Sequence, residues 1–389
     1  MSPEVKPGYK QTEAGVIPEA WEARPLLSVV RLANGQVDPT VEPYKSMPLI
    51  APDHIESGTG TLLKIQTAKE QGAISGKYLF SSGDIIYSKI RPYLKKVVYV
   101  DFVGLCSADM YPMTPFPGVS AHFVLPVLLG HKFSSYAETV SVRSGMPKIN
   151  REELACFSIA LPPTEEQERI GSAFSDMAAL ISSLNQLIAK KRDIQQAAMQ
   201  QLLTGQRRLP GFIGEWAVKR LGDVLSVRHG RNQREVECTD GAYPILATGG
   251  EIGRTNTSLY EKSSVLIGRK GTIDRPMYID TPFWTVDTLF YTELTSKAVP
   301  KFIYYVFLKV DWYSYNEASG VPSLNAATIE NIEVQLPDIL EQNAIVAILS
   351  DMDAELAILE ARRDKACQLK RGMMQELLTG RVRLTEGSL

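Results

Sequence analysis

The sequence MQQLLTG occupies residues 199–205, and MQELLTG occupies residues 374–380. The same shift of 175 positions (374 − 199) aligns Ser144–Leu209 with Ser319–Leu384 without a gap, and 23 of these 66 positions are identical. A solenoid would need more copies with a shorter period. The sequence therefore predicts an internal duplication with pseudo-twofold character.

Each copy predicts one long helix that ends at this repeated sequence. Roughly 40 residues at 1.5 Å per residue give a rod about 60 Å long. Gly205 and Gly380 follow the last apolar residues, which is typical of a left-handed C-terminal cap. At the start of each helix we expect a capping box, and the pairs that fit it are Thr164 with Gln167 and Asp338 with Glu341.

Apolar residues along both helices recur at alternating spacings of four and three, which is the pattern of a coiled-coil seam. Polar residues fill the other faces, so we expect the two helices to pair as an antiparallel coiled coil. The alternative is that each helix packs into the core of its own globular domain. The positions predicted to pair the helices are Ile170, Phe174, Met177, Ile181 and Leu184 in the first helix, and Ile345, Leu349, Met352, Leu356 and Leu359 in the second.

The segment before each helix is rich in β-branched and aromatic residues with frequent Gly and Pro. Short strands are expected at IIYSKI, VVYVDFV, SSVLIG, MYIDTPFW and LFYTEL, and helices at AHFVLPVLLGHKF and KFIYYVFLKVDWY. Trp21 and Trp216 occupy matching places near the start of the two segments. The predicted fold class is α+β, with two globular domains separated by two long helices. The predicted segments are residues 1–150 (domain), 151–210 (helix), 211–325 (domain) and 326–389 (helix).

The composition excludes several classes of protein. The chain has 389 residues, a formal net charge of −2 and 44 % hydrophobic residues, as in ordinary globular proteins. It contains neither a signal peptide nor an apolar run of the roughly 18 residues that a membrane span needs, so we expect a cytoplasmic protein without membrane contact. The four Cys and four His are scattered, so we expect neither a metal site nor a catalytic residue.

Local charge departs from this near-neutral total. Arg and Lys cluster among glycine turns in GDIIYSKIRPYLKKVVYVD, VRHGRNQR and GRKGTIDR. Such side chains bind phosphates, and Arg also reads guanine bidentately, so we expect each domain to contact DNA. Solvated surface loops are the alternative. The candidates for DNA contact are Lys89, Arg91, Lys95, Lys96, Arg228, Arg231, Arg254, Arg269, Lys270 and Arg275.

Two motifs have structural explanations that compete with DNA binding. ATGGEIGRT, residues 247–255, lacks the Lys-Ser/Thr of a P-loop, so a tight turn between strands is the better interpretation. The repeated SG-x-P-x-x-N ends at Asn150 and Asn325. For these two residues we favour a helix cap or a hinge over a DNA contact.

The chain resembles the specificity (S) subunits of Type I restriction–modification systems over nearly its whole length. The resemblance is carried by SGMPKIN with LPPTEEQERI, by SGVPSLN with LPDILEQNAI, and by the paired LLTG ends. The stretches GDIIYSKIRPYLKKVVYVD and LIGRKGTIDRPMYIDTPFWTVDT also resemble that family's target-recognition domains.

The resemblance implies a DNA-recognition subunit that has no catalytic activity of its own. Each domain would read one half of a bipartite, asymmetric target in double-stranded DNA. The two helical segments would be the family's central and C-terminal conserved regions, would set the spacer, and would bind two methyltransferase (M) subunits, with restriction (R) subunits outside. No cofactor is expected on this chain. S-adenosylmethionine would belong to the methyltransferase partner, and ATP and Mg²⁺ to the restriction partner.

Other functions stay open. A coiled-coil protein-interaction scaffold would explain the heptads and the net acidity, although it leaves the basic clusters unexplained. A specificity subunit whose partner is a fused nuclease–methyltransferase would show the same sequence features. An enzyme acting alone would need a catalytic constellation that the sequence does not show.

Overall fold

The computed structural model describes residues 6–142 and 145–385, and these divide into two compact units. The first unit comprises the chain up to Asn185 and from Ala361 onward, and the second comprises Gln186–Glu360. Each unit thus contains one globular domain, the start of one long helix and the end of the other. Ser144, the first residue of the first SG-x-P-x-x-N motif, lies outside the described residues.

Two of the helices are the predicted rods. The α-helices are α1 Ala121–Leu129, α2 His131–Val140, α3 Arg151–Ala155, α4 Thr164–Leu202, α5 Pro300–Lys309, α6 Ala326–Glu330 and α7 Ile339–Glu376. With 39 and 38 residues, α4 and α7 match the predicted length of about 40. Among the described residues, no helix combines the length and the apolar character that crossing a membrane requires.

The first unit is built on two four-stranded sheets. Its strands are β1 Tyr9–Thr12, β2 Gly15–Pro18, β3 Glu22–Pro25, β4 Val30–Leu32, β5 Pro48–Ile50, β6 Gln66–Thr67, β7 Tyr78–Phe80, β8 Ile85–Ser88, β9 Val97–Tyr99, β10 Gly104–Cys106, β11 Met110–Pro115 and β12 Ser158–Leu161. One sheet has the order β4-β11-β8-β9 and is antiparallel, and the other, β6-β5-β10-β7, contains a parallel β5–β10 pair. The pair β3–β12 joins the start of the domain to the strand that precedes α4.

The second unit repeats this plan. Its strands are β13 Ala217–Arg220, β14 Leu225–His229, β15 Glu237–Cys238, β16 Tyr243–Ala247, β17 Gly250–Thr255, β18 Ser264–Gly268, β19 Met277–Ile279, β20 Trp284–Thr285, β21 Leu289–Leu294 and β22 Glu333–Leu336. The antiparallel sheet β14-β21-β18-β19 corresponds to β4-β11-β8-β9, the parallel pair β16–β20 to β5–β10, and β13–β22 to β3–β12. The duplication predicted for the helices therefore extends to the domains, and the predicted α+β class is confirmed.

The predicted strands and helices of the domains are also confirmed in type. All five sequences that were expected to form strands contain one. AHFVLPVLLGHKF forms α1 and the beginning of α2, with a break at Gly130, and KFIYYVFLKVDWY forms α5 and the beginning of a 3-10 helix at Trp312–Tyr315. ATGGEIGRT contains the predicted turn, at Thr248 and Gly249, and continues through the whole of β17, which pairs with β16 in antiparallel fashion.

The first part of each long helix packs into the core of its own unit. Ile170 and Phe174 of α4 are buried in the apolar cluster that also contains Trp21 and residues of α1 and α2. Ile345 and Leu349 of α7 are buried in the equivalent cluster of the second unit. The alternative interpretation of the heptads therefore applies to these helix starts, because an amphipathic face can serve a domain core and a partner helix in succession.

The other predicted pairing positions lie farther along the helices. Leu184 and Leu356 are buried outside the main core clusters of the units. The half-buried positions are Met177, Ile181, Met352 and Leu359.

Within each unit, α4 and α7 meet in opposite directions. In the second unit, Lys191 Nζ lies 2.7 Å from a carboxylate oxygen of Glu355, and Gln195 donates a hydrogen bond of 2.6 Å to Asp353. Residue numbers thus rise along α4 while they fall along α7. In the first unit, Leu377, just after α7, joins the core around the start of α4. The predicted antiparallel coiled coil is confirmed.

The C-terminal caps of the two long helices agree with the sequence. Gly205 and Gly380 adopt left-handed φ angles of +68° and +69°. A residue with a Cβ is strained in this conformation, so glycine ends both helices.

The predicted N-terminal capping boxes are not formed as expected. The side chain of Asp338 does accept a hydrogen bond of 2.9 Å from the backbone N–H of Glu341, but the Glu341 side chain turns away to other partners. In the first copy, α4 already begins at Thr164, and the Gln167 amide donates to the carbonyl of Pro162 at 2.8 Å. The Thr164–Gln167 box is therefore wrong, because burial beside the preceding loop captures the glutamine side chain.

Candidate nucleic-acid interface

A buried carboxylate joins the start of α4 to the segment after α7 in the first unit. Arg383 donates two hydrogen bonds, of 2.7 and 2.8 Å, to the two oxygens of Glu166, and Trp21 Nε1 donates a third of 2.9 Å. The guanidinium lies 5.7 Å from the centre of the Trp21 ring. We call these three residues the first Glu–Arg–Trp cluster. Bidentate pairing and the indole donor satisfy the buried carboxylate.

The second unit contains the same arrangement. Arg208 donates two hydrogen bonds of 2.7 Å to Glu341, Trp216 Nε1 donates one of 3.1 Å, and the guanidinium lies 5.8 Å from the Trp216 ring. We call this set the second Glu–Arg–Trp cluster. The carboxylate comes from one copy of the repeat and the guanidinium from the other, in both clusters.

The repeated LLTG ends serve these clusters. A Cβ on Gly380 would lie 2.5 Å from the ring of Pro18 and 3.4 Å from that of Trp21, and a Cβ on Gly205 would lie 3.4 Å from Trp216. Each glycine therefore lets the chain turn closely over the tryptophan. Sequence reasoning found the glycines but missed the Glu–Arg pairs, although both residue types are identical at positions related by the 175-residue shift.

Burial and hydrogen bonding act in opposite directions on Glu166. Burial by itself would raise the pKa of this carboxyl, but the hydrogen bonds from Arg383 and Trp21 outweigh it and hold the pKa below its ordinary value. Glu166 is therefore an anion at neutral pH, as the ion pair requires.

The repeated SG-x-P motif anchors a basic loop in the first unit. We call residues 89–96, which follow β8, the first basic loop. Arg91 N donates to the carbonyl of Pro147 at 2.8 Å, and Ile149 N donates to the carbonyl of Lys89 at 2.9 Å. The SG-x-P motif, which lies 50 to 60 residues later in the chain, thus holds the loop by antiparallel backbone pairing.

The same contacts recur in the second unit. We call residues 269–275, which follow β18, the second basic loop. Gly271 N donates to the carbonyl of Pro322, and Leu324 N donates to the carbonyl of Arg269, both at 2.9 Å. Pro322 is the 175-residue counterpart of Pro147. Both copies of the motif therefore perform one task, which is to position a basic loop.

The asparagines that end the motif are helix caps, as favoured from the sequence. Asn150 Oδ1 accepts a hydrogen bond of 2.8 Å from the backbone N–H of Glu153 and begins α3. Asn325 Oδ1 accepts one of 3.0 Å from Ala327 and begins α6.

The structure separates the ten predicted DNA-contact side chains into two groups. Five are held by their own unit, through carbonyl groups or carboxylates: Lys89 by Ala108, Lys96 by Pro52, Arg228 by Glu293, Arg254 by Glu251 and Gly241, and Arg269 by Asp287. The other five make no side-chain hydrogen bond or ion pair with another described residue: Arg91, Lys95, Arg231, Lys270 and Arg275. Of these five, all but Lys95 are exposed. DNA contact stays a prediction for all ten side chains.

The two basic loops use different residues at one strained backbone position. Arg91 has a φ of +48°, and Gly271, which makes the equivalent bond to the SG-x-P motif, has a φ of +88°. An L residue pays about 1 kcal/mol for a left-handed conformation. In the first loop the strained position is therefore occupied by Arg91, whose guanidinium is exposed.

The residues described here do not include a group of three or more His, Cys, Asp or Glu side chains arranged to hold a metal ion. What the domains present instead is a pair of anchored basic loops on one repeated fold. The family model of the Type I restriction modification DNA specificity domain matches this chain twice, over residues 18–190 and 213–367. The chain belongs to this family.

Relatives of this specificity-domain protein agree with the assignment. It is 33 % identical over 202 residues to the Type I restriction enzyme EcoDI specificity subunit of Escherichia coli, covering 51 % of this chain and 45 % of that protein. The match thus spans less than half the length of the EcoDI subunit. The Type I restriction enzyme MjaVIII specificity subunit of Methanocaldococcus jannaschii is 22 % identical, with 97 % and 96 % of the two chains covered.

The fold itself has been seen before. The crystal structure of a Type I restriction–modification system S subunit from M. genitalium matches with a TM-score of 0.66 at 14 % sequence identity, covering 92 % of this chain and 96 % of that one. At this identity the likeness concerns the fold alone.

Proposed function

We propose that this chain is the DNA-recognition subunit of a Type I restriction–modification complex, and that each unit reads one half of a bipartite, asymmetric target. The observation that carries the proposal is the repeated anchoring of a basic loop by the SG-x-P motif. The anchors are alike in the two units, whereas the loop side chains differ. One fold with unlike reading residues suits two unlike half-sites, and a double-stranded DNA partner explains the free cations.

The paired helices α4 and α7 are proposed to set the spacer and to bind two methyltransferase subunits, with restriction subunits outside these. Their exposed apolar side chains are available to protein partners, and where such side chains form a contiguous patch they mark an interaction surface. These side chains are Leu180, Leu187, Ile194, Ile358 and Leu369. Insertion of one heptad into each helix should lengthen the spacer and leave both half-sites unchanged. An altered half-site would contradict this role.

The chemistry is assigned to the partners. In this proposal the chain is non-catalytic and binds no cofactor, S-adenosylmethionine belongs to the methyltransferase, and ATP and Mg²⁺ belong to the restriction subunit. The complex would act in the cytoplasm.

Methylation mapping tests the proposal directly. The chain is co-expressed with its candidate methyltransferase partner, and methylated positions are mapped across a DNA library. We expect one motif of two short, unlike half-sites at a fixed spacing. A stable complex with an active methyltransferase that produces no such motif would contradict DNA recognition and favour the protein-interaction scaffold. Nuclease activity residing in the same partner polypeptide would identify the fused nuclease–methyltransferase variant.

A further inference from the structure

The two units differ in what fills the space beside the basic loop. In the first unit, Arg151 donates hydrogen bonds of 2.6 Å to the carbonyl of Ala33 and 2.7 Å to Asn34 Oδ1. Its guanidinium also lies 5.6 Å from the ring of Tyr111. A side chain of the protein itself therefore occupies this site.

The second unit has the same framework without that side chain. The counterpart of Arg151, at the 175-residue shift, is Ala326. By strand register, Phe290 stands where the first unit has Tyr111, and His229, the last residue of β14, pairs with Phe290. Ala326 lines a cavity of about 240 Å³. The other lining residues include His229, Arg269, Lys270, Phe290, Glu317 and Ser323.

The charged side chains that line this cavity are two cations, Arg269 and Lys270, and one carboxylate, Glu317. Lys270 is exposed and makes no side-chain hydrogen bond or ion pair with another described residue. Arg269 donates through Nη1 to the carbonyl of Asp287, which holds the guanidinium in place at the cavity. The single carboxylate, Glu317, accepts a hydrogen bond from the Thr328 hydroxyl. The positive charges of Arg269 and Lys270 outnumber the negative charge of Glu317, which favours an anionic ligand.

We propose that this cavity is a phosphate-binding subsite through which the second unit holds the DNA backbone, and that Arg151 closes the corresponding site in the first unit. The inference rests on the proposed function in DNA recognition. One water molecule occupies about 30 Å³ in the liquid. The cavity of about 240 Å³ therefore has room for a phosphate group and its remaining waters. The two units would then hold the same ligand class by different contacts.

The geometry favours phosphate over a base edge. Lysine contacts phosphate as a point charge, whereas base readout favours flat, bidentate groups. One nitrogen of the flat group at this site, the Arg269 guanidinium, already donates to a backbone carbonyl. A phosphate projects from the surface of a duplex and can enter a concavity, whereas a paired base edge stays within its groove.

Two substitutions test the subsite in the full chain bound to its methyltransferase. Lys270→Gln removes the available charge, and Ala326→Leu fills the cavity without changing charge. For each variant we expect affinity for target and non-target duplexes to fall by a similar factor, about 5- to 10-fold. For Lys270→Gln, the slope of log affinity against log salt should also become shallower by about one. Lys297→Gln is the matched control, because Lys297 is exposed in the same unit and does not line the cavity.

Each result separates the possibilities. Unchanged affinity in Lys270→Gln, or a loss equal to that of Lys297→Gln, would overturn the subsite. A relaxed methylation motif at one base position would overturn it too, because it would reveal a base contact. Melting temperatures check that Ala326→Leu folds, and Lys270→Gln decides the question if it does not. A wild-type complex without a bipartite motif would refute the proposed function, whereas a uniform loss of duplex affinity in Lys270→Gln would still support the phosphate contact.

Discussion

The two units are most alike at Glu166 and Glu341, and least alike where Arg151 has Ala326 as its counterpart. Both glutamates are buried, both receive two hydrogen bonds from an arginine, and both receive one from a tryptophan. At the basic loops, by contrast, only the backbone anchoring is shared. The difference suggests that stability constrains the Glu–Arg–Trp clusters in both units, whereas the side chains at the basic loops can vary with the ligand that each unit binds.

The largest expected effect follows from breaking the first Glu–Arg–Trp cluster. Glu166→Ala leaves the Arg383 charge and the Trp21 N–H without their partner, which should destabilise the first unit by about 3–5 kcal/mol. Urea unfolding, resolved by hydrogen exchange in peptides of each unit, measures the loss. Glu341→Ala should produce an equal loss confined to the second unit. Glu165→Ala is the control, because its side chain is exposed and its salt bridge to Arg169 is 3.7 Å long.

Unequal losses would break the comparison between the clusters. A loss below about 1 kcal/mol in either variant would show that the burial seen here does not govern stability.

The next effect concerns the filled site of the first unit. Arg151→Ala removes two short hydrogen bonds and a ring contact, so we expect a loss of about 1–2 kcal/mol and a cavity like that of the second unit. Differential scanning calorimetry measures the change. Arg275→Ala, which removes an exposed arginine without a side-chain hydrogen bond in the described structure, should change stability by less than about 0.5 kcal/mol. Equal melting temperatures for the two variants would mean that the Arg151 contacts contribute nothing.

A smaller effect distinguishes the two left-handed loop positions. Gly271→Ala should cost about 1 kcal/mol, because the φ of +88° penalises a Cβ although no atom lies within 4 Å of it. Arg91→Gly should leave stability unchanged within about 1 kcal/mol, since relief of strain offsets the entropy of glycine. Arg91→Gly should nevertheless weaken DNA binding in a filter-binding titration. A destabilised Arg91→Gly with normal DNA affinity would reverse the roles assigned to this residue.

The smallest expected effect concerns how the stability of the first unit depends on pH in the acid range. The pKa of Glu166 is lowered in the folded state, because hydrogen bonds from Arg383 and Trp21 outweigh the raising effect of burial. Its contribution to stability is therefore present above its unfolded pKa, near 4.5, and is lost as pH falls through the lower folded value. Acid unfolding of the first unit should become less steep in Glu166→Gln. Identical pH profiles for wild type and variant would show that another group governs the acid transition.

Local sequence patterns predicted the parts of the fold that depend on neighbouring residues. The heptads gave α4 and α7, the glycines gave their C-terminal caps, and the β-branched runs gave strands such as β8 and β18. The heptads could not show where along a helix the packing partner changes. Ile170 and Leu184 fit one periodic pattern, but Ile170 packs in a domain core and Leu184 is buried outside it. Gln167 was misassigned for a similar reason, since its side chain also bonds to Gly118 and Ser120, which lie almost 50 residues earlier in the chain.

The geometry of the candidate site depends still more on contacts between residues that are far apart in the sequence. The register of β14 with β21 joins His229 to Phe290, and the SG-x-P motif reaches the basic loop across some 50 residues. Neither distance is encoded in local spacing, so charge alone identified the basic loops and could not show which of their side chains are also held within their own unit. The Glu–Arg pairs did leave a signal, because a charged residue that is identical in both copies of a diverged repeat has a reason to persist.

The crossed composition of the Glu–Arg–Trp clusters also bears on ancestry. Glu166 pairs with Arg383 of the later copy, and Glu341 pairs with Arg208 of the earlier one. A gene encoding one copy would have yielded a product that completes its ion pair only with a second molecule, so duplication and fusion would have made an intermolecular contact intramolecular. Descendants of such a fusion should show compensating substitutions between positions 166 and 383, and between 208 and 341, rather than within either copy.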